Sequence, residues 1–122
     1  MTENTSPAAD APVEYKGPRV EIKTPGKITL TQVNEALAKV EDPELHVDIV
    51  TLELVYGITI DAENVTILMT LTSIACPYGP MLVGMVQQGL QAIPEMQKVD
   101  VQVTFDPPWK PSDDLKAMMG IL

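Results

Sequence analysis

The feature that most constrains the fold is a strand pattern that turns directly into a helix pattern at residues 70–80, TLTSIACPYGP. Apolar residues alternate through residues 65–72, which is the period of a β-strand. They then recur at helical spacing over residues 81–90, and three Pro or Gly residues mark the turn between the two patterns. The segment therefore predicts a strand, a tight connection and a helix in immediate succession.

Cys76, the only cysteine of the chain, falls in this connection, just before the predicted amino end of the helix. Unpaired backbone N–H groups and the helix dipole at such a position favour the thiolate, the form that attacks electrophiles and binds soft metal ions. A lone cysteine in an apolar segment is also a common core residue. The position alone leaves both interpretations open, a working thiol and an inert packing residue.

The other elements follow from the same periodicities and from capping signals. Residues 29–32, TLTQ, match a capping box with Thr29 as N-cap and begin the first helix. The predicted bounds are a helix from Thr29 to about residue 41, strands over 54–60 and 65–73, a helix over 79–92, a strand over 98–106, and a last helix capped by Ser112. The predicted fold is α/β (α+β), a small two-layer sandwich of order αββαβα with helices packed on a three-stranded mixed sheet.

Residues 1–27 predict a disordered or loosely docked tail, because they contain four prolines and no apolar period. A short extended piece at residues 20–22 is the part that can dock. Residues 28–122 then form one domain, which is all that this length accommodates.

The chain is acidic, with 17 Asp and Glu against 8 Lys and Arg and a formal net charge of −9. This balance argues against binding to nucleic acid or to anionic membrane surfaces, because a protein needs clustered basic residues to bind either. One cysteine excludes an intramolecular disulfide and a multi-cysteine zinc site. The sequence shows no apolar run of membrane-spanning length and no signal-peptide core, so we expect a cytoplasmic protein.

Two carboxylates, Asp42 and Glu44, bracket Pro43 at the predicted end of the first helix. On composition alone such a segment predicts a solvated turn. His46 is the only histidine, so no second imidazole exists to join it in a metal site, and we interpret it as a loop residue.

The chain resembles the SufT-like family of iron–sulfur cluster assembly proteins, which includes a PaaD branch and eukaryotic cytosolic iron–sulfur targeting factors. Four stretches carry the resemblance in the family's order and spacing, and the similarity extends over residues 28–122. They are VEDPEL at 40–45, DIVTLELVYGI at 48–58, MTLTSIACP at 69–77 and VTFDPPW at 103–109. Ala75 and Glu53 stand where the family usually has glycine. The chain also lacks the cysteine-rich carboxyl-terminal segment of PaaD-like members, which favours the general iron–sulfur branch.

The resemblance implies one functional site, formed by Asp42, Glu44, Thr72, Ser73 and Cys76. Cys76 and Glu44 are the expected metal ligands, since a thiolate and a carboxylate can hold iron transiently in an incomplete coordination shell. The hydroxyls of Thr72 and Ser73 can orient the thiolate. The expected cargo is iron or an iron–sulfur cluster.

The implied function is that of an accessory factor in iron–sulfur cluster assembly or client maturation, acting as carrier or adaptor and not as an enzyme. Its expected partners are scaffold and client proteins and, since a conventional cluster needs up to four thiolates, a second copy in a homodimer. Two alternatives remain at this stage. One is a small thiol-dependent enzyme or redox protein using Cys76, with Glu44 as base. The other is a metal-free adaptor such as a PaaD-like accessory protein.

Overall fold

The computed structural model describes residues 17–43, 45–72 and 77–119, which contain four strands and three helices. In chain order these are β1 Arg19–Thr24, α1 Leu30–Leu37, β2 Val55–Asp61, β3 Asn64–Met69, α2 Gly79–Gln91, β4 Lys98–Val103 and α3 Asp113–Met119. The predicted α/β class is confirmed, and the order αββαβα is present after one additional strand.

The sheet has the strand order β1-β2-β3-β4. β2 and β3 form the predicted antiparallel hairpin, whereas β1 pairs with β2 and β4 pairs with β3 in parallel. Alternate residues of β2 and β3 face the helices and join them in one aliphatic core. Its largest fully buried side chains include Leu37, Ile49, Leu52, Leu54, Ile58, Ile60, Ile67, Met69, Leu82 and Leu90. We call the opposite side of the sheet the helix-free face.

The predicted strand count of three is wrong, because β1 lies within the segment predicted as a tail. Its register on β2 runs from Arg19 opposite Gly57 to Thr24 opposite Asp61, with an irregularity between Ile22 and Thr24. All six β1 side chains are exposed. A strand that buries no side chain leaves no core pattern in the sequence, which is why periodicity did not identify it. The part of the predicted tail at residues 1–16 lies outside the described residues.

The capping box that begins α1 is confirmed. The backbone N–H of Gln32 donates to Thr29 Oγ1 at 3.2 Å, and the Thr29 N–H donates to Gln32 Oε1 at 2.9 Å. The helix ends at Leu37 and not near residue 41. The Ala38 N–H still bonds four residues back to the Asn34 carbonyl, but the N–H groups of Lys39 and Val40 bond to carbonyls only three residues back, so the chain tightens into a turn.

The strands on either side of α2 end earlier than predicted. β3 stops at Met69 instead of residue 73, although the Thr70 N–H still donates to the Leu54 carbonyl, one residue beyond the Val55–Met69 pair. β4 stops at Val103 instead of residue 106, and the Asp106 N–H there donates to Thr104 Oγ1 in a local turn. The other predicted bounds hold within one residue, and the predicted Ser112 cap is confirmed by its bond from the Leu115 N–H at 3.1 Å.

Candidate functional site

The chain that leaves β3 is held firmly before it reaches the predicted site. Thr70 is fully buried, and its N–H donates to the Leu54 carbonyl oxygen at 2.8 Å. Leu71 is buried as well, and Thr72 is half-buried at a bend in the backbone. Of the predicted site residues on this side, only Thr72 is described. Ser73 and Cys76 lie outside the described residues.

Pro77 is the next described residue, and α2 begins two residues later, at Gly79. Tyr78 is the N-cap of this 13-residue helix but makes no side-chain cap, and Pro80 lies in the first turn. The first turn of α2 carries no acidic residue. The dipole at the amino end of α2 favours a nearby anion.

Leu71 and Gly79 bring the two ends of this connection together. A Cβ placed on Gly79 would lie 2.8 Å from Leu71 Cδ1, so the methyl group occupies the space that glycine leaves free. Gly79 is buried against this contact. Its lack of a side chain thus allows the end of the strand and the start of the helix to approach closely.

Asp42, on the other side of the predicted site, is buried with only 4% of its surface exposed. Its Oδ1 accepts a hydrogen bond from the Leu45 N–H at 3.0 Å, which closes the loop across Pro43 and Glu44. Its backbone carbonyl accepts from the His46 N–H at 2.8 Å, and His46 adopts a left-handed φ of 58°. Asp42 therefore shapes this loop through its side chain and its backbone. Glu44 lies outside the described residues.

A chain of backbone hydrogen bonds connects these two segments through residues 49–54. The Ile49 N–H donates to the Val40 carbonyl at 2.9 Å, the Leu54 N–H donates to Ile49 at 3.0 Å, and the Thr70 N–H donates to Leu54. Asp48 stabilises the same segment by accepting from the Thr51 N–H and the Thr51 hydroxyl. The Asp-Pro-Glu loop and the connection after β3 are therefore held by one continuous backbone network.

Tyr56 is a supporting residue that sequence reasoning missed. Its hydroxyl donates to the Pro107 carbonyl at 2.9 Å. Burial raises the pKa of Tyr56, an effect that the Thr70 hydroxyl partly opposes. Tyr56 and Pro107 both lie in stretches that carry the family resemblance, but nothing in the sequence pairs them.

Glu53, which stands where the family usually has glycine, adopts a left-handed φ of 63°. That conformation is easy for glycine and strained for other residues, which agrees with the glycine that the resemblance leads us to expect here. Glu53 Oε2 accepts from the Ser112 hydroxyl at 3.2 Å. Its other carboxylate oxygen is buried without a hydrogen-bond partner in the described part of the chain.

Within residues 17–43, 45–72 and 77–119, no three His, Cys, Asp or Glu side chains lie close enough to hold a metal ion. The two expected ligands, Glu44 and Cys76, fall in the gaps between these ranges. The described helices also include none that is long and apolar enough to cross a membrane.

The sheet topology and the helix packing define a class of small two-layer α/β domains. A solved structure of this class, a conserved hypothetical protein from Thermotoga maritima, is 40% identical to the chain with a TM-score of 0.69. That likeness covers 80% of this chain and 99% of the other.

The chain belongs to the iron–sulfur cluster assembly protein family, whose model matches residues 30–103. It is 44% identical over 90 residues to the iron–sulfur protein maturation auxiliary factor YitW of Bacillus subtilis, covering 70% of this chain and 88% of that protein. It is 49% identical over 69 residues to the auxiliary factor SufT of Staphylococcus aureus, covering 56% and 78%. The resemblance identified from the four sequence stretches is thereby confirmed.

Proposed function

We propose that this protein is an accessory factor in the maturation of iron–sulfur proteins and that it holds iron or a cluster transiently, as cargo, around Cys76. Family membership and the auxiliary-factor names of its relatives support the accessory role. The observation that carries the site is the contact between Leu71 and Gly79, which joins both ends of the segment containing Cys76. A non-enzymatic role agrees with those names.

Cys76 is the proposed thiolate ligand. It lies three residues before Gly79, the first residue of α2, where the helix terminus favours an anionic sulfur. A bound iron ion would strengthen this preference, because metal coordination deprotonates a thiol outright. Thr72 and Ser73, four and three residues earlier, are the proposed hydroxyl groups that orient the sulfur.

Glu44 is the proposed carboxylate ligand, and Asp42 is the proposed positioning residue. The two have different roles because Asp42 is buried and already accepts the Leu45 N–H, which fixes the loop on both sides of Glu44. A carboxylate used for loop structure is less available to a metal ion than one that is not. Scaffold and client proteins are the proposed partners, and further ligands to a cluster come from such a partner or from glutathione.

The test compares the wild type with Cys76→Ser, with folding checked by circular dichroism. Each protein is purified anaerobically with iron and sulfide, and its visible spectrum and iron content are measured. Each is also expressed under iron limitation in a strain lacking the native protein, and the activity of iron–sulfur enzymes is assayed. We expect Cys76→Ser to fold, to retain no iron and to fail in client maturation. Full client activity with Cys76→Ser would refute the site.

Glu44→Gln is the second variant, and Glu41→Gln is its matched control, since Glu41 is an exposed carboxylate in the same loop. We expect only Glu44→Gln to lower iron retention. The wild type could retain no iron while Cys76→Ser still abolishes maturation. That result would contradict the proposal that iron or a cluster is carried and would favour an adaptor role. Equal effects of the two glutamine variants would contradict the assignment of Glu44.

A further inference from the structure

β1 is an edge strand whose outer side pairs with nothing in the described part of the chain. Two of its side chains are large and apolar, Val20 at 41% and Ile22 at 52% exposed. Their register partners are Ile58 and Ile60, which are core residues, so both point to the helix-bearing side of the sheet. The helices leave this strip of the sheet uncovered.

The charged residues of β1 lie on the helix-free face. Arg19 and Glu21 align with Gly57 and Thr59, and Lys23 lines a shallow groove together with Thr59. Along this face the side-chain charges of β1 therefore alternate: Arg19 is positive, Glu21 is negative and Lys23 is positive. An unpaired edge with one apolar side and one alternating charged side is a template for pairing with another strand.

We propose that this edge binds a second copy of the same chain, so that two β1 strands pair antiparallel about a two-fold axis into one eight-stranded sheet. Charge complementarity selects the partner. With Ile22 at the axis, Glu21 of each copy lies opposite Lys23 of the other, and the two Ile22 side chains meet on the helix-bearing side. A register centred on Glu21 would oppose two carboxylates. One centred on Val20 would set Pro18, which has no N–H, opposite Ile22.

The proposed β1–β1 interface forms a closed dimer and is small. Pro18 and Pro25 flank β1, and a two-fold pairing uses the same edge of both copies, so the assembly stops at two. A six-residue edge buries less than the roughly 800 Å² per partner of a standard interface. The dimer is therefore reversible and depends on concentration.

This dimer is independent of the proposed iron site. The connection after β3 lies two strands in from the edge, beyond the end of the sheet where β1 begins. Antiparallel pairing sends the two connections in opposite directions, on the order of 40–50 Å apart from strand spacing and rise. The two sites cannot share one ion or cluster, so the dimer presents two separate sites.

The test is sedimentation of the full chain from low micromolar to millimolar concentration. The double variant Val20→Lys/Ile22→Lys places like charges at the contact, and we expect its dimer dissociation constant to rise by more than about tenfold. Leu68→Lys is the matched control, because Leu68 is an apolar residue of β3 that is 36% exposed on the helix-free face. Thermal unfolding by circular dichroism checks that each variant folds.

Charge variants test the register. Glu21→Lys is expected to weaken the dimer, and adding Lys23→Glu in the same chain is expected to restore it. Cys76→Ser and added iron are expected to leave the dissociation constant unchanged, so a failed iron site and a failed dimer give different results. A wild type that stays monomeric, a dimer unaffected by the Val20/Ile22 change, or a dimer that requires Cys76 would each overturn the proposal.

Discussion

The indole Nε1 of Trp109 donates a hydrogen bond of 2.7 Å to the carbonyl oxygen of Leu52, 57 residues earlier in the chain. Leu52 lies in the core, whereas Trp109 is half-buried in the proline-rich loop after β4. The bond therefore fastens that loop to the segment that precedes β2. This contact agrees with the sequence-based interpretation of Trp109 as a structural residue.

Replacing Trp109 is predicted to reduce stability. Trp109→Phe keeps an aromatic ring but removes the donor, and we expect a loss of about 1–2 kcal/mol in the free energy of unfolding. Trp109→Ala also removes the packing and should cost roughly 3 kcal/mol, at the low end for an aromatic residue because the ring is only half-buried. Urea denaturation measures both. Unchanged stability with impaired client maturation would instead give Trp109 a direct functional role.

The free energy of unfolding is predicted to fall at alkaline pH, and Tyr56 is one cause. Burial raises its pKa in the folded protein above the ordinary value of 10.0, so the folded state holds the phenolic proton more tightly than the unfolded state does. The resulting stabilisation is complete below pH 10 and is lost as the pH rises through the folded-state pKa. Denaturation at a series of alkaline pH values, compared between the wild type and Tyr56→Phe, isolates this effect.

Lys27 also makes the stability depend on alkaline pH, and it does so in both the wild type and Tyr56→Phe. Its ammonium group hydrogen-bonds Glu95 at 3.0 Å, which raises the pKa of Lys27, so its stabilisation also declines at high pH. This contribution is the same in both proteins and cancels in their difference. Identical pH profiles for the wild type and Tyr56→Phe would show that the Tyr56 pKa is not raised.

Glu53→Gly is predicted to stabilise the protein. The left-handed backbone at Glu53 costs a non-glycine residue about 1 kcal/mol, and glycine adopts it freely. Glu53→Ala is the matched control, since it removes the same carboxylate and keeps the strain. We expect Glu53→Gly to exceed Glu53→Ala by about 1 kcal/mol in thermal or chemical unfolding. Equal stabilities would mean that the turn relaxes around either residue.

The capping box predicts a further pair of variants. Thr29→Ala removes the acceptor for the Gln32 N–H and should cost about 0.5–2 kcal/mol. Thr31→Ala changes an exposed threonine within the same helix and should be nearly neutral or slightly stabilising. Chemical denaturation of both separates the cap from general helix propensity. A Thr31 effect as large as that of Thr29 would contradict a specific capping role.

The sequence predicted those parts of the fold that bury side chains at regular spacing or that use capping chemistry. The hairpin of β2 and β3, the start of α2 and the Thr29 and Ser112 caps are of this kind. Of β1, only a short extended piece at residues 20–22 was predicted as able to dock. The full strand was not predicted, because backbone pairing with β2 leaves no trace in side-chain periodicity. The ends of β3 and β4 were also missed, since the alternating side-chain pattern continues past Met69 and Val103, where the regular strands end.

For the candidate site, the residue types and their order could be predicted from the sequence. The hydrogen bonds and burial that hold the neighbouring segments in place were found only in the structure. Asp42 was predicted as one member of the site, and the structure adds that it is buried and that its Oδ1 accepts a hydrogen bond from the Leu45 N–H. Tyr56 could not be predicted as a supporting residue, because its partner Pro107 is 51 residues away. The roles of Glu44, Ser73 and Cys76 stay predictions.

The contact between Leu71 and Gly79 has a thermodynamic consequence for any cargo. Bringing the two ends of a flexible segment together costs conformational entropy, and binding at an open loop must supply it. Here strand and helix packing have already brought residues 71 and 79 together when the domain folds. The entropic cost of binding a ligand between them is therefore limited to local adjustment of the loop. A weakly coordinated cargo can then be captured and released without unfolding the surrounding core.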